Sequence, residues 1–300
     1  MDIVITGASG FVGKALSQWL LEAGHTVTGL GTSPNHPFEE QSAFTWMAAD
    51  TTQPGAWQTV VHAADTVVNL AGRSIAKRWT RSYKQQIMDS RLETTRHVVE
   101  ALDGENTLLL NASAVGFYGS RGDEVLKEDS APGGDFLARL AVAWEAAALR
   151  AREKGVRIAV MRFGVVLGKG GGALEQMLPA FRRFAGGPLG TGRQWFSWIH
   201  MADLLSAAHF LLENEKAEGI YNVTSPEPLR QKEFAKALGS ALRRPAVLAA
   251  PRLALKLMLG EMAEVLLASQ RVRPNRLITE GFSFRFPEID RALSDLLHPS

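Results

Sequence analysis

The sequence predicts an α/β protein in which a parallel sheet carries helices on both faces. Runs of aliphatic and β-branched residues alternate with helical patterns from residue 3 to about residue 163, which is the order of elements in a doubly wound sheet. The first apolar run ends in a turn with three glycines directly before an amphipathic helix, as the first strand–helix unit of such a sheet does. The 300 residues are enough for one large domain, or for one domain with a smaller addition.

The glycine turn predicts a dinucleotide site. Residues 3–5 form a predicted buried strand, and residues 11–22 form a helix that ends before Ala23 and Gly24. In the spacing Gly-x-x-Gly-x-x-Gly, the first glycine allows a sharp turn, the second lets a phosphate approach the main chain, and the third lets helix and strand pack closely. The helix N-terminus would bind the pyrophosphate; a tight turn without a ligand is the simpler alternative. The predicted cofactor contacts are Gly7, Ser9, Gly10, Phe11, Val12 and Gly13.

The end of the second predicted strand favours NADP(H) over NAD(H). This strand covers residues 26–31, and Gly31 and Thr32 at its end are predicted cofactor contacts. NAD-specific sites place an acidic residue there to bind the ribose 2′-hydroxyl. The stretch 31–34 contains no carboxylate that would repel a 2′-phosphate.

Two further strands complete the predicted crevice. A strand near 44–47 precedes Asp50, which could contact the adenine or only begin the next turn. After a helix at 55–63, the strand at 65–70 ends in small residues, and its carboxyl end lies beside the first strand in a doubly wound sheet. Small residues let a cofactor lie against the main chain, and the contacts predicted here are Leu70, Ala71 and Gly72.

The next elements follow the same alternation. A long helix at 78–102 carries Lys84, Arg91 and Arg96 on its exposed side, and solvated charge is the simple interpretation of Lys84 and Arg96. The loop at 120–134 is rich in Gly, Asp and Glu, as active-site loops often are. Around this loop we predict a strand at 107–111, a helix at 135–154 and a strand at 156–163.

The second half of the chain is less regular. The Gly-Lys-Gly-Gly-Gly stretch at 168–172 is interpreted as a mobile loop over the site, because a P-loop would need Gly-x4-Gly-Lys-Ser/Thr. Pro245 and Pro251 mark a boundary. The predicted domains are therefore a dinucleotide-binding core at 1–245, with mixed α/β substrate-side segments from about 165, and a small, helical C-terminal domain at 246–300. The remaining predicted elements are helices at 173–184, 201–212, 230–242 and 253–267, a strand at 219–223 and a terminal unit at 270–297.

The composition excludes several classes of protein. A formal net charge of +2 indicates no polyanionic partner, so no nucleic acid is expected. The absence of cysteine excludes disulfides and thiolate metal sites and suits a reducing compartment, and we predict no metal. Charged residues interrupt the long apolar runs, and the N-terminal strand leaves no room for a signal peptide. We therefore expect a cytoplasmic protein without a membrane partner, with a homodimer as an open alternative to a monomer.

Several motifs resemble those of the extended, epimerase-like branch of the short-chain dehydrogenase/reductase superfamily. Thr6-Gly7-x-x-Gly10-x-x-Gly13 is similar to its nucleotide-binding motif, and Asn69-Leu-Ala-Gly72 to its N-x-A-G element. The chain also resembles one atypical family within that branch, whose members end in a small C-terminal domain of unknown function. The elements that carry this resemblance are Arg78-Trp79, Ser90-Arg91, Pro132-Gly-Gly-Asp135, Trp144-Glu145, Arg162-Phe-Gly-Val-Val-Leu-Gly168, Ser197-Trp-Ile-His200 and Gly260-Glu261-Met262.

The resemblance implies a Rossmann-type fold with a bound dinucleotide. It places Arg91 and Val166 at the cofactor cleft as further contacts. Relatives commonly have an arginine where Thr32 stands, so the positive side chain that would favour NADP(H) is missing, as is the acidic one that would favour NAD(H).

The superfamily's redox chemistry uses a Tyr and a Lys four residues apart, and this chain lacks the pair. One helical turn places both side chains on one face, where the Lys lowers the pKa of the phenol. None of the three tyrosines is followed by a lysine four positions later, and the resemblance aligns Leu137 and Ala141 with the two places. Ser113, near the place of the superfamily's serine, and Tyr118 are the predicted catalytic residues. The alternatives are a strand-end hydroxyl for Ser113 and a packed ring for Tyr118.

The substrate motif of related epimerases is altered here. The Trp-Ile-His-x-x-Asp-Leu at 198–204 matches them, but Phe196 and Ser197 replace an Arg-Asp pair whose arginine can bind a substrate diphosphate. Phenylalanine cannot replace a bidentate clamp, and Arg193 is close enough to substitute. The motif's His200 and Asp203 are predicted to be structural residues at the entry to a helix.

Two functions remain open. The first is an NADP(H)-dependent oxidoreductase or epimerase acting on an unidentified small molecule, with Arg73, Arg91 and Arg193 as candidate anion anchors. The second is a non-catalytic protein that senses NADPH, which the missing Tyr/Lys pair favours.

Overall fold

A computed structural model of the chain describes residues 1–35, 38, 41–104 and 107–298. Its strands are, in chain order, β1 (Asp2–Thr6), β2 (Thr26–Gly31), β3 (Phe44–Ala48), β4 (Thr66–Asn69), β5 (Leu108–Ala114), β6 (Val125–Leu126), β7 (Arg157–Phe163), β8 (Val165–Leu167), β9 (Trp195–Phe196), β10 (Trp198–His200), β11 (Gly219–Val223), β12 (Leu229–Arg230) and β13 (Arg271–Val272). Its α-helices are α1 (Phe11–Glu22), α2 (Trp57–His62), α3 (Arg81–Ala101), α4 (Phe136–Leu149), α5 (Gly172–Arg182), α6 (Met201–Glu213), α7 (Gln231–Leu242), α8 (Arg252–Leu259), α9 (Ala263–Leu267), α10 (Asn275–Thr279) and α11 (Ile289–Leu297).

The centre of the fold is a parallel sheet. Within the described residues it has seven strands in the order β11-β7-β5-β4-β1-β2-β3, and each neighbouring pair is parallel. The chain begins at β1, moves outward to β3, and then crosses back to β4 on the other side of β1. Ligands of doubly wound sheets bind beyond the carboxyl ends of the strands at such a switch point. The predicted Rossmann-type fold is confirmed.

Helices cover both faces of the sheet because alternate strand residues supply two apolar layers. Ile3 and Ile5 of β1 join Leu16 of α1 in one layer, which also includes α6. Val4 joins the opposite layer with α2 and α3, which contributes Val98. The strand therefore has both faces buried, as the uninterrupted apolar run predicted.

The substrate-side region and the C-terminal residues share a third apolar core. Leu178 of α5 and Phe234 of α7 pack in it with Leu293 of α11. Parallel pairing of β13 with β6 ties the C-terminal residues to the loop before α4. The domain boundary near residue 245 stays a prediction.

Two predicted helices differ from the structure. The single helix predicted at 253–267 is wrong, because Gly260 adopts a φ of +63° and separates α8 from a 3-10 turn and α9. The helix predicted at 135–154 ends earlier, at Leu149, and a 3-10 turn over Arg150–Lys154 replaces its last part. Between β2 and β3, residues 36, 37, 39 and 40 lie outside the described residues. Across the described ranges, none of the helices combines the length and the apolar character needed to cross a membrane.

Candidate dinucleotide site and the polar network beside it

The glycine turn between β1 and α1 forms a tight main-chain cradle. Gly7 has a φ of +68°, and a Cβ at Gly13 would lie only 2.3 Å from the Gly7 carbonyl oxygen. Gly10 occupies the N-cap of α1, and no side chain in the described chain caps this helix. The N–H groups of its first turn are therefore available to an anion.

The ends of β1, β2 and β4 meet at this cradle. A Cβ at Gly7 would lie 3.1 Å from the main chain of Leu70 and Ala71. A Cβ at Gly31 would lie 3.1 Å from Ser9 Oγ, so that only a small residue fits there. Exposed Thr32 follows directly. The predicted contacts from three separate stretches of sequence are thus adjacent in space.

The Asp50 carboxylate belongs to its own turn. It accepts hydrogen bonds from the Thr52 N–H at 3.0 Å and the Thr52 hydroxyl at 2.7 Å. Of the two alternatives for Asp50, these contacts favour the structural one.

The glycine-rich stretch after β8 packs on the first residue of α1. A Cβ at Gly168, Gly171 or Gly172 would lie 2.6–2.8 Å from the ring of Phe11. Val166 on β8 packs, partly buried, against the apolar layer that contains α1 and α6. The loop therefore borders the helix N-terminus that would hold a pyrophosphate, as predicted for residues over the site.

Arg91 on α3 lies against Gly72. A Cβ at Gly72 would be 2.8 Å from the Arg91 guanidinium carbon, so the glycine makes room for the cation. The guanidinium donates to the carbonyl oxygens of Arg73 at 3.0 Å and Ile87 at 3.2 Å and lies 5.2 Å from the centre of the Trp144 ring.

Burial leaves Arg91 with an uncompensated charge. Desolvation lowers the pKa of Arg91 to about 10, where the group is still protonated at neutral pH. Among the described residues no carboxylate forms an ion pair with it. A desolvated guanidinium without a counter-ion at the edge of a phosphate cradle is suited to bind an anion.

A buried polar network lies under the crevice. The Thr6 hydroxyl donates to Asn69 Oδ1 at 2.6 Å and accepts from the Ala71 N–H at 3.2 Å. The Asn69 amide in turn donates to Asn111 at 2.7 Å and to Thr95 at 2.8 Å. Connected networks of this kind hold the strand ends in one arrangement. The signal for this network in the sequence is a polar residue in each of three apolar strands, which is Thr6 in β1, Asn69 in β4 and Asn111 in β5.

The two predicted catalytic residues meet in a second buried network. The Ser113 hydroxyl donates to Glu145 Oε1 at 2.6 Å. Arg162 forms a bidentate pair with the Glu145 carboxylate, with both donor–acceptor distances 2.8 Å. Arg162 also donates to the Tyr118 hydroxyl at 2.8 Å, and that hydroxyl donates to Asn222 Oδ1 at 2.6 Å.

This network commits both hydroxyls to protein partners. Tyr118 is fully buried at 0% exposure and Ser113 is 2% exposed. Desolvation raises the pKa of Tyr118 to about 12, which opposes loss of its proton near neutral pH. The geometry therefore favours the structural interpretations, which are a strand-end hydroxyl for Ser113 and a packed ring for Tyr118. Glu145 and Arg162 have no role that was predicted from the sequence, where an arginine inside the apolar strand at 157–163 was the available signal.

The places of the missing Tyr and Lys lie on α4. Leu137 is partly exposed, and its Cβ lies 3.3 Å from the Cβ position of Gly116. Ala141, one turn later, is 4% exposed. Neither side chain can transfer a proton.

The altered substrate motif is used for internal contacts. Phe196 packs against Phe234 with ring centres 4.5 Å apart. Ser197 donates to the Gln270 carbonyl at 2.6 Å and accepts from the Val272 N–H at 3.0 Å. Phe196 therefore packs against α7, and Ser197 holds the C-terminal region by hydrogen bonds. At these two positions related epimerases have an Arg-Asp pair.

His200 and Asp203 are helix-entry residues, as predicted. His200 is the N-cap of α6, and its Nδ1 accepts from the Ala202 N–H at 3.1 Å. The Asp203 carboxylate accepts from the N–H groups of Arg285 at 2.7 Å and Phe286 at 2.9 Å. Burial raises the pKa of Asp203, and these two hydrogen bonds oppose that rise.

Arg193 borders a cavity of about 680 Å³ between the substrate-side and C-terminal regions. Arg230 in this cavity pairs with Asp123 at 2.7 Å. The charged residues that line it are Asp123, Arg193, Arg230, Lys232 and Arg252. The predicted anion anchors thus separate into two places, because Arg73 and Arg91 adjoin the crevice and Arg193 lies here.

Comparisons with known protein families divide the chain into two matches. Residues 3–224 match the model of the NAD dependent epimerase/dehydratase family. Residues 250–296 match a domain of unknown function, DUF1731.

Relatives of similar length are found in plants and in humans. A chloroplastic homologue of the epimerase family protein SDR39U1 from Arabidopsis thaliana is 40% identical over 99% of this chain and 87% of its own length. The crystal structure of human SDR39U1 (isoform 2) with NADPH has a TM-score of 0.88 and 32% identity, and each chain is covered completely.

A more distant solved structure has the same fold. The Bordetella bronchiseptica enzyme WbmG, crystallised with NAD, gives a TM-score of 0.78 at 17% identity, covering 99% of this chain and 93% of its own.

Proposed function

Because the chain belongs to the NAD dependent epimerase/dehydratase family, we propose that it binds NADP(H) beyond the carboxyl ends of β1, β2 and β4 and uses it to oxidise, reduce or epimerise a small molecule. The observation that carries this proposal is the main-chain cradle beside a partly buried arginine that pairs with no carboxylate of the described residues. The bound dinucleotide would supply a hydride acceptor or donor, as in other nicotinamide enzymes.

The residues present fit a dinucleotide. A Cβ at Gly10 would be 3.1 Å from the Gly7 carbonyl oxygen, so the turn is close-packed at its second glycine. The uncapped start of α1 would bind the pyrophosphate through Phe11, Val12 and Gly13 N–H groups. Gly31 and Thr32 would border the ribose, where the absence of a carboxylate in the sequence favours a 2′-phosphate. The human relative crystallised with NADPH supports the same preference.

Arg91 would bind a negative charge in the crevice. Its guanidinium already makes two hydrogen bonds to main-chain oxygens, which hold it beside Gly72. Arginine held in this way binds phosphate or carboxylate oxygens with little further ordering. We assign Arg91 to binding of the cofactor phosphates. The substrate would then bind in the space between the crevice and the C-terminal residues.

Ser113 and Tyr118 would serve the reaction through the Glu145–Arg162 pair. The Ser113 hydroxyl donates a hydrogen bond to Glu145, and its oxygen would still be able to accept a hydrogen bond from a substrate hydroxyl. Tyr118 fixes the other end of Arg162 and is a positioning residue. Since the Tyr/Lys pair is absent, water would supply the proton that completes the alcohol in a reduction, and water would accept the hydroxyl proton of the substrate in an oxidation.

A second candidate function is an NADPH sensor without turnover. The commitment of both hydroxyls to buried partners favours it, because this leaves the crevice without an obvious acid or base. Nucleotide binding is common to both candidates.

The first experiment is a titration with NADPH and NADH, followed by nicotinamide fluorescence. We expect NADPH to bind at micromolar concentration and more tightly than NADH. If neither nucleotide binds in this range, both candidate functions fail.

The second experiment separates enzyme from sensor. A broad panel of carbonyl compounds is tested for oxidation of bound NADPH, with wild type beside the variants Ser113→Ala and Tyr118→Phe. Turnover that Ser113→Ala reduces without loss of NADPH affinity supports the enzyme. Binding without turnover across the panel favours the sensor. A complete loss of turnover in a stably folded Tyr118→Phe protein would contradict its positioning role.

A further inference from the structure

A cluster of metal-ligating side chains lies away from the dinucleotide crevice, in the turn after α1 and on α6. His25, His209 and Glu213 each offer one ligand atom, and these three atoms all lie within 4.8 Å of one another. The rings of His25 and His209 have centres 6.1 Å apart, and His209 Nε2 is 3.9 Å from Glu213 Oε1. His25 precedes β2, so the cluster is at the amino ends of the strands, opposite the crevice.

Main-chain hydrogen bonds and helical structure fix the backbone positions of the three residues. His25 follows the turn that ends α1, and its N–H donates to the Leu20 carbonyl at 3.0 Å, which fixes its main chain to that helix. His209 and Glu213 are four residues apart on α6, and side chains at this spacing share one helix face. The cluster therefore links the turn after α1 to α6, and both helices pack on the same apolar layer.

We propose that His25, His209 and Glu213 bind one divalent transition-metal ion, with Zn²⁺ as the best match. Two imidazoles and one carboxylate, completed by water, form a recognised tetrahedral zinc set. Imidazole also suits Co²⁺ and Ni²⁺, whereas Mg²⁺ and Ca²⁺ prefer oxygen ligands alone. Bonds of roughly 2.1 Å place tetrahedral ligand atoms about 3.4 Å apart, so the side chains need to close by about 1 Å.

The state of these groups favours binding. The His209 side chain is 33% exposed and that of Glu213 is 53% exposed, which lets both rotate toward His25. In the described part of the chain, no hydrogen bond ties the His25 or His209 ring to another group.

A metal ion bound here would connect the turn at the end of α1 to α6. Since α1 carries the proposed pyrophosphate site at its other end, the ion would act on stability and not on the chemistry of the crevice. An ion that binds only the folded state raises the unfolding midpoint, and the gain in stability grows with the logarithm of the ion concentration above its Kd.

The test uses the full chain after removal of metal by chelator and dialysis. Zn²⁺ is titrated in competition with a chromophoric indicator, and Co²⁺ is added separately to record its visible absorption. We expect one equivalent of Zn²⁺, a Co²⁺ spectrum of four-coordinate character and a higher unfolding midpoint with Zn²⁺. His25→Ala and His209→Ala should each weaken binding by at least about tenfold.

The matched control is His62→Ala. His62 is also a surface histidine beside a carboxylate, 3.7 Å from Asp103, but has no second imidazole, and its variant should bind Zn²⁺ like wild type. The proposal is overturned if wild type binds no stoichiometric Zn²⁺, or if His25→Ala and His62→Ala bind it equally. NADPH titration of the same samples keeps the tests separate, because all three variants should bind the nucleotide normally.

Discussion

At the scale of single residues, Arg91 places a positive charge at the edge of the crevice. Desolvation disfavours its charged guanidinium, and no carboxylate of the described residues pairs with it, so under the proposed function an anionic group of the ligand would compensate this charge. The neighbouring Gly72 keeps the space that the cation occupies.

The variant Arg91→Gln should therefore weaken NADPH binding by at least about tenfold, which corresponds to about 1.4 kcal/mol. The free energy of unfolding should change little, because a buried charge is removed together with its two main-chain hydrogen bonds. Fluorescence titration and chemical denaturation measure the two effects. The control is Arg96→Gln on the same helix, whose exposed ion pairs with Glu93 and Glu100 lie outside the crevice. Equal NADPH affinity of both variants and wild type would exclude a phosphate-binding role for Arg91.

Two glycines of the cradle should respond differently to alanine. Gly10 has an ordinary φ of −74°, and its added Cβ would approach only the Gly7 oxygen, at 3.1 Å. Gly10→Ala should therefore fold with a small loss of stability but weaken NADPH binding by about tenfold or more, because the methyl occupies the approach of the pyrophosphate.

The Cβ of Gly13→Ala would clash with main chain at 2.3 Å. This variant should lose about 1–3 kcal/mol of stability as α1 shifts from the strand. Thermal unfolding without ligand, followed by NADPH titration, separates a binding defect from a folding defect. A Gly13→Ala protein as stable as Gly10→Ala would contradict the packing argument.

At the scale of elements, the entry to α6 depends on a neutral histidine. His200 is 4% exposed and stacks on Phe286 with ring centres 4.0 Å apart. Burial lowers the pKa of His200 from 6.5 to about 4, although Asp295 favours the charged form; Arg285 and Lys169 act in the same direction as burial. Protonation would place a charge inside the third apolar core.

Acid should therefore weaken the fold through this residue. Because the folded-state pKa lies below the unfolded one, the unfolded chain binds more protons between these two values. The contribution is complete above pH 6.5 and is lost as the pH falls to about 4, with an upper size of about 3 kcal/mol.

The measurement is the free energy of unfolding against pH for wild type and His200→Asn. Asparagine is a good N-cap that does not titrate, so its curve should be flatter over this window. Parallel curves would show that His200 does not titrate on unfolding.

At the scale of the whole molecule, the C-terminal residues complete the body of the protein. Leu293 shares a core with Phe234, and Ser197 holds β13 through Gln270 and Val272. Lys84, predicted to be solvated, instead pairs with Glu261 at 2.6 Å and joins the Rossmann half to the C-terminal region.

A chain cut after residue 245 should therefore fail to fold stably. The cut removes Phe286, Ala292, Leu293 and Leu296 from the third core, and each larger side chain contributes about 1.5–3 kcal/mol when buried. Their sum approaches the whole stability of an ordinary domain. Circular dichroism and size-exclusion chromatography of the truncated chain are the measurements. A monomeric, cooperatively unfolding product would show that residues 1–245 fold without the C-terminal residues and would contradict this expectation.

Much of the fold was predictable because it depends on local patterns. Apolar runs and glycine spacing predicted β1, α1 and β2 with bounds close to those observed, and the small residues after β4 indicated where the crevice opens. The predicted helix at 253–267 failed because the left-handed conformation of Gly260 is set by its surroundings, and the apolar periodicity continues through it.

The sequence by itself determined the α/β class, the glycine cradle and the absence of a Tyr/Lys pair, since each depends on residues close together in the chain. Only the tertiary structure decided the partners of side chains that are distant in sequence. It joined Ser113 to Glu145 and Arg162, left Arg91 without a carboxylate beside Gly72, and brought His25 to His209 and Glu213. The physical reason is that burial and the distances between charges arise when strands and helices pack, and a side chain's chemistry follows from those surroundings.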